Sequence, residues 1–326
     1  MAGPFPILFI TSERIGDAVL TSGLLKRLYD EIPNAGFTVA GGPETEVLFR
    51  DMPRLERFVP AGAGGLSGVA LWTAVRSRRW GLVVDTRGGS LARFVSAKKR
   101  AVHKAPPLDA GTLHKVEEAA RLLKLEDEPP APYLFVGPET EAQANALLGD
   151  APGPILAVGP GADWVGRTWP AERFNEVCAR LLGPDGPLEG GRLMILGAEN
   201  HRDAAHTVRF ATARDRVVDL TGKADPLVTY ACLKKARLFL GNDTPLMHLA
   251  AAAGVPTIGL FGPSDERRSG PWGPDARVVR GHRQYEDFLV VDPQLNQALN
   301  HMLDLPVDQV LDAALKLIAD TGTQNG

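Results

Sequence analysis

The stretch Gly241–Pro263 reads GNDTPLMHLAAAAGVPTIGLFGP, and Leu238-Phe239-Leu240 before it is a short apolar run of strand type. Asn242, Asp243 and Thr244 are all residues that cap helices, and Pro245 fits the first helical position, where a missing N–H costs nothing. Leu246, Leu249, Ala250 and Ala253 recur at i, i+3, i+4 and i+7, one face of a helix. Gly254 is placed to end that helix and Pro256 to keep it ended, after which Thr257–Phe261 reads as a second buried strand. Strand–helix–strand is the unit of a parallel sheet. Its junction presents unpaired N–H groups and about half a positive charge at the carboxyl end of a strand, where open α/β sheets bind ligands. Such a site suits a phosphate or pyrophosphate, with Asp243 beside it to accept hydrogen bonds from sugar hydroxyls. Asp243 and Thr244 would look the same if they only capped the helix, and this stretch alone does not choose.

Working outward, the same alternation recurs. Ile7–Ile10 is an apolar run followed by TSERIGDAVLTSG, in which Gly16 allows a tight turn and a helix is predicted from near Asp17. Phe37–Ala40 and Gly81–Asp85 read as further strands, and Leu113–Leu125 as a helix. Alternating strand and helix through residue 125 predicts a doubly wound α/β domain. Between residues 126 and 154 prolines accumulate, with one short helix predicted over Thr140–Leu148. The domain boundary is therefore placed near Asp150, giving domains 1–150 and 151–326. In the second, Ile155–Val158 and Arg192–Leu196 read as strands, Ala171–Leu182 as a helix and Asp308–Ala319 as a final amphipathic helix.

The 326 residues carry a net charge of −3, which disfavours a nucleic-acid binder relying on positive charge. Two cysteines, Cys178 and Cys232, make neither a disulfide framework nor a metal cluster, and a cytoplasmic setting is expected. No signal peptide and no run of about 18 apolar residues is seen, so nothing is expected to span a membrane. No Asp-x-Asp clamp, P-loop or G-x-S-x-G occurs. The glycine run from Gly62 to Gly65 lacks the full G-x-G-x-x-G, with Ser67 at its last position.

Four separated motifs then line up: IGDAVLT (Ile15–Thr21), PGA…RTWPAERF (Pro160–Phe174), LTGK (Leu220–Lys223) and NDTPLMHLAAAAGVPTIGLFGP (Asn242–Pro263). In order and spacing the chain resembles the family 9 glycosyltransferases, whose best-known members are the ADP-heptose:lipopolysaccharide heptosyltransferases. The resemblance implies a GT-B fold, two Rossmann-like domains facing across a cleft. The N-terminal domain would take the acceptor and the C-terminal domain the nucleotide-diphosphate sugar. It further implies inverting transfer without a metal or other cofactor. The acceptor is expected to be a lipid-linked oligosaccharide at the inner membrane, with peripheral membrane contact through basic residues such as Lys98, Lys99, Arg100 and Lys104.

On that resemblance Asp17 matches the catalytic base, since inversion needs one carboxylate to take the acceptor proton. A helix-capping Asp is the commoner use of such a residue. Arg167 stands where relatives usually carry Lys against the nucleotide phosphates, and a guanidinium there can grip phosphate oxygens in pairs. Thr244 and the amides of Leu246 and Met247 are expected to hold the diphosphate. Asp243 is assigned to the donor and His248 to the phosphate side. Glu199 is assigned to the ribose, with His201 as the neighbour onto which the alignment would slip. Arg87 is expected either to meet the acceptor or to pair with Asp85. The chain departs from the family's D-T-G at Pro245, which removes one N–H donor. That departure keeps open transfer of another sugar to a surface polysaccharide, or a nucleotide-sugar-binding protein without turnover.

Overall fold

The computed structural model describes residues 3–62, 65–105 and 111–322, so Ala63 and Gly64 of the glycine run lie outside the described residues. The chain divides into two α/β units, Met1–Gly137 and Pro138–Gly326. The division precedes the expected boundary at Asp150, because the helix Pro138–Leu148 packs with the second unit. There Glu141 pairs with Lys235 (2.6 Å), and the Cys232 thiol lies 4.0 Å from the Ala144 carbonyl.

In chain order the first unit runs β1 (Phe5–Ile10), α1 (Ile15–Glu31), β2 (Ala35–Gly41), β3 (Leu55–Pro60), α2 (Gly65–Val75), β4 (Trp80–Asp85), β5 (Ala97–Val102) and α3 (Lys115–Ala120). Its strands pair in the order β3-β2-β1-β4-β5, all parallel, with Ile7 opposite Phe37 on one side and Leu82 on the other. Parallel strands covered on both faces read as continuous apolar runs, and the last four residues of β1 are all buried. The helix expected over Leu113–Leu125 is shorter. After Ala120 it tightens into a 3-10 turn (Arg121–Leu123), and Lys124 in the left-handed region (φ 58°) stops it.

The second unit runs α4 (Pro138–Leu148), β6 (Ile155–Gly159), α5 (Ala171–Leu182), β7 (Arg192–Ile195), α6 (Arg202–Val208), β8 (Val217–Asp219), α7 (Pro226–Leu233), β9 (Leu238–Asn242), α8 (Pro245–Ala252), β10 (Thr257–Phe261), α9 (Glu266–Ser269), β11 (Ala276–Arg280), α10 (Tyr285–Val291) and α11 (Val307–Gly322). Its sheet order is β11-β10-β9-β6-β7-β8, again all parallel. Every residue of β6, β9 and β10 is buried. On α5, Phe174, Val177, Cys178, Leu181 and Leu182 form the buried stripe that joins them in one core. Gly254 ends α8 as its position predicts, at φ 74°, a left-handed conformation that costs glycine nothing. Among the described residues no helix is long and apolar enough to cross a membrane.

Candidate active site

Each sheet has one switch point, where connections leave in opposite directions. It lies between β1 and β4 in the first unit and between β6 and β9 in the second. Crevices outside the carboxyl ends of such strands are where doubly wound sheets bind ligands. Asp17 and Arg87 stand at the first of these edges, and Arg167, Asp243 and Thr244 at the second.

At the first, Asp17 is the third residue of α1, whose N-cap is Arg14. Its carboxylate is engaged by a residue the sequence reading passed over: Lys115 donates to Asp17 Oδ1 at 2.5 Å. Lys115 opens α3, and a capping box of His114 and Glu117 fixes that helix start. Thr21, one turn on, donates to the Asp17 carbonyl (3.2 Å) and meets Thr11 Oγ1 (3.1 Å), tying α1 to the end of β1. Arg87 does not pair with Asp85 through its side chain. Its guanidinium binds Glu13 and the Ala61 carbonyl (3.2 Å), while its backbone N–H donates to Asp85 Oδ1 (2.9 Å). Glu13 wins because it sits half-exposed on the neighbouring loop, whereas Asp85 is buried. Burial pushes the Asp85 carboxyl up, only partly offset by the amides of Arg87 and Gly88.

At the second edge, Asn242 belongs to β9 rather than to a cap. It accepts from the Trp169 amide (3.0 Å) and donates to the Pro160 carbonyl (2.9 Å), stapling both ends of the loop that carries Arg167. Arg167 Nη1 donates to Asp243 Oδ2 at 3.3 Å, so these two predicted residues are in contact. Thr244 is the N-cap of α8 by backbone conformation, but its side chain caps nothing. The Met247 amide is taken by the Thr244 carbonyl (3.1 Å), which removes it from the expected phosphate donors and leaves the amides of Thr244 and Leu246 in that role. His248 is buried on the first turn of α8.

Glu199 and His201 separate clearly. Glu199 is largely exposed, paired with Arg202 at 2.8 Å. His201 is inward, packed so closely on Gly161 that a Cβ there would lie 2.2 Å from its ring, and 3.4 Å from Asp163. Three buried polar atoms on loops leaving this edge have no hydrogen-bond partner, Arg167 Nε, Thr221 Oγ1 and Thr244 Oγ1, and His201 Nε2 has only the 3.4 Å approach of Asp163. Buried polar groups are ordinarily paired, so a cluster of orphans on one edge marks a place for a polar ligand.

A strap formed by residues 292–305, unread in the sequence, holds the Arg167 loop from outside. Trp164 Nε1 donates to the Gln297 carbonyl (2.9 Å), Asn300 Nδ2 to that of Thr168 (3.1 Å) and Trp169 Nε1 to that of Leu305 (3.0 Å). Buried Asp292 anchors the strap by accepting from the amides of Gln297 (2.9 Å) and Asn296 (3.3 Å). Burial alone would raise its carboxyl, but those amides and His301 outweigh it and hold it below the usual range.

Residues 67–296 match the model of glycosyltransferase family 9 (heptosyltransferase). The chain is 23% identical to lipooligosaccharide heptosyltransferase 2 of Haemophilus influenzae over 84% of its length and 88% of that protein's. Its fold is similar to that of E. coli ADP-heptose lps heptosyltransferase II (TM-score 0.74, 19% identity, 97% of this chain and 99% of that one). It is also similar to an E. coli heptosyltransferase with ADP (TM-score 0.69, 19% identity, 96% and 99% covered). These likenesses establish the GT-B class for the two Rossmann-like units.

Proposed function

The chain belongs to glycosyltransferase family 9, and we propose that it is an inverting, metal-independent heptosyltransferase using ADP-heptose and a lipopolysaccharide core-type acceptor. The observation that carries this reading is the pair of unpartnered buried polar atoms, Arg167 Nε and Thr244 Oγ1, at the β6/β9 switch point, beside the N-terminus of α8. A nucleoside diphosphate supplies what that site lacks: oxygens for the guanidinium, for the Thr244 hydroxyl and for the α8 amides. Charge grows on the diphosphate as the anomeric carbon–oxygen bond breaks, so a fixed Arg167 and the helix dipole stabilise the transition state more than the ground state. Asp243 orients Arg167 and offers its carboxylate to donor hydroxyls. His201, rather than the exposed Glu199, suits the nucleoside side. The names of the relatives support ADP-heptose as donor and a lipopolysaccharide-type acceptor.

In the N-terminal unit Asp17 acts as base. It takes the proton of the acceptor hydroxyl as the oxygen attacks the anomeric carbon on the face opposite to the leaving diphosphate, which inverts that centre. Lys115 aims the carboxylate by holding Oδ1. We place the reaction at the cytoplasmic face of the inner membrane with at most peripheral contact. Lys98 and Lys99 are exposed on β5, whereas the Arg100 guanidinium is occupied by the carbonyls of Ala92 and Val95. The test is transfer from ADP-heptose to a core-oligosaccharide acceptor in chelator, with Asp17→Asn alongside. Turnover should fall by about 10²–10⁴-fold with ADP affinity retained. Near-normal turnover in that variant would remove Asp17 from the base role.

A further inference from the structure

Helix α3 carries two residues that local preference disfavours. Lys115 stands at its first position, the positive end of the helix dipole, where a cation is unfavourable. Glu118, one turn on, is buried, and a carboxylate is almost never buried unless paired. Departures of this kind fall where function overrides local rules. Each of the two has a partner on a different element. Lys115 donates to Asp17 Oδ1 of α1 at 2.5 Å, and Glu118 Oε1 lies 2.7 Å from Nε2 of His103, the residue after β5.

His103 is itself held. Its N–H donates to the Asp85 carbonyl at 2.8 Å, extending the β4–β5 pairing by one residue. Its Nδ1 and carbonyl press on Gly88, where a Cβ would stand 3.2 Å and 3.0 Å from them and where φ is 74°, so only glycine fits there without strain. A helix of six residues has no stability of its own, and contacts to its surroundings set where it lies. The Glu118–His103 contact ties α3 to the carboxyl edge of the sheet, and the Lys115–Asp17 contact ties it to α1. Two anchors on one helix fix its rotation as well as its height. A slip of one residue would swing Lys115 by about 100° away from Asp17.

We propose that His103 and Glu118 are positioning residues for the base: through α3 they hold Lys115 on Asp17 Oδ1, which leaves Oδ2 to take the acceptor proton. The assignment rests on the reading of Asp17 as base and adds the residues that aim it. The experiment uses the full-length protein with two readouts. One is transfer from ADP-heptose to a core oligosaccharide, with ADP affinity measured on each variant. The other is the rate at which N-acetoxysuccinimide acetylates Lys115, read by peptide mass. A base displaced by about an ångström loses up to about a hundredfold in rate, so His103→Ala and Glu118→Ala should each lower kcat by about tenfold. The KM for ADP-heptose and the affinity for ADP should stay as in the parent chain. His103→Gln, whose amide N–H reaches the place of Nε2, should retain most of kcat. Lys115→Ala is the variant least able to disturb folding, because its side chain is 34% exposed, and it should reproduce the loss. Adding His103→Ala to Lys115→Ala should cost nothing further, since residues that act through one another are not additive. Lys115 should acetylate several-fold faster in His103→Ala, a result independent of turnover and of the donor. Unchanged acetylation, intact kcat in Lys115→Ala, additive losses in the double variant, or failure of His103→Gln to restore kcat would overturn the proposal. Near-normal turnover in Asp17→Asn sinks the base reading beneath it, whereas low turnover in that variant with normal turnover in His103→Ala sinks this inference alone.

Discussion

At the residue scale the site is a set of commitments made before any ligand arrives. Asp17 is given to Lys115, Arg87 to Glu13 and Arg167 to Asp243. Each partner sets an orientation, and Arg167, held by Asp243 through Nη1 alone with its Nε unpartnered, keeps donors for the proposed diphosphate. Asp17, Arg167 and Thr244 were legible as motif positions, and each stands at the carboxyl edge of a sheet, where its motif placed it. The partners Lys115 and Glu13 were not, since a surface lysine or glutamate carries no pattern until the fold brings it 98 or 74 residues back along the chain. Pro245 is the residue whose effect is easiest to reverse. It opens α8 without an N–H to offer, and Met247 has spent its own. Pro245→Gly restores one donor facing the proposed phosphate. ADP affinity should rise by up to about tenfold, the worth of one hydrogen bond to a charged group less the entropy of the added glycine. Weaker ADP binding in that variant would mean that the rigidity of proline matters more than the donor.

At the element scale, what the sequence revealed and what it hid follow from burial. Central strands such as β1, β6 and β9 read as apolar runs because both faces are covered. The strands passed over, β3, β5 and β11, lie at sheet edges, where charged side chains interrupt the apolar run: exposed Glu56 and Arg57 in β3, exposed Lys98 and Lys99 in β5, and Arg277 and Arg280 in β11. The strap at 292–305 was hidden for a different reason: it is built from backbone carbonyls and indole N–H groups, which leave no periodicity. Its anchor has a definite pH sign. The Asp292 carboxyl is lowered in the folded chain, so its contribution is present above the ordinary Asp value of about 4. That contribution is lost as pH falls through the folded value. Asp292→Asn should therefore speed hydrogen exchange of the Asn296 and Gln297 amides at neutral pH and weaken ADP binding several-fold by loosening the Arg167 loop. The same variant should show less acid sensitivity than the parent chain. Unchanged exchange at those amides would show that the indole contacts alone hold the strap.

At the scale of the whole molecule, two units of the same winding were expected, and two are present. The division falls at Gly137 rather than near Asp150 because composition marks where prolines gather, while packing decides to which core a helix belongs. Both cysteines lie in the second unit, on α5 and α7, fully buried. Burial pushes the Cys232 thiol up to about 11 and Cys178 further still. Neither should react with a thiol reagent at neutral pH until this unit opens. ADP at a hundred times its dissociation constant should slow labelling by about a hundredfold, since it binds only the closed form. Labelling that ignores ADP would place nucleotide binding elsewhere.

The most direct test of the central claim is calorimetric titration of the full chain with ADP and with UDP in chelator, repeated on Arg167→Ala. Saturable ADP binding without metal, weaker binding of UDP, and a loss of about ten- to a hundredfold in ADP affinity on removing the guanidinium are expected. Equal affinity for ADP in Arg167→Ala, or no ADP binding by the parent chain, would contradict a diphosphate site at the β6/β9 switch point.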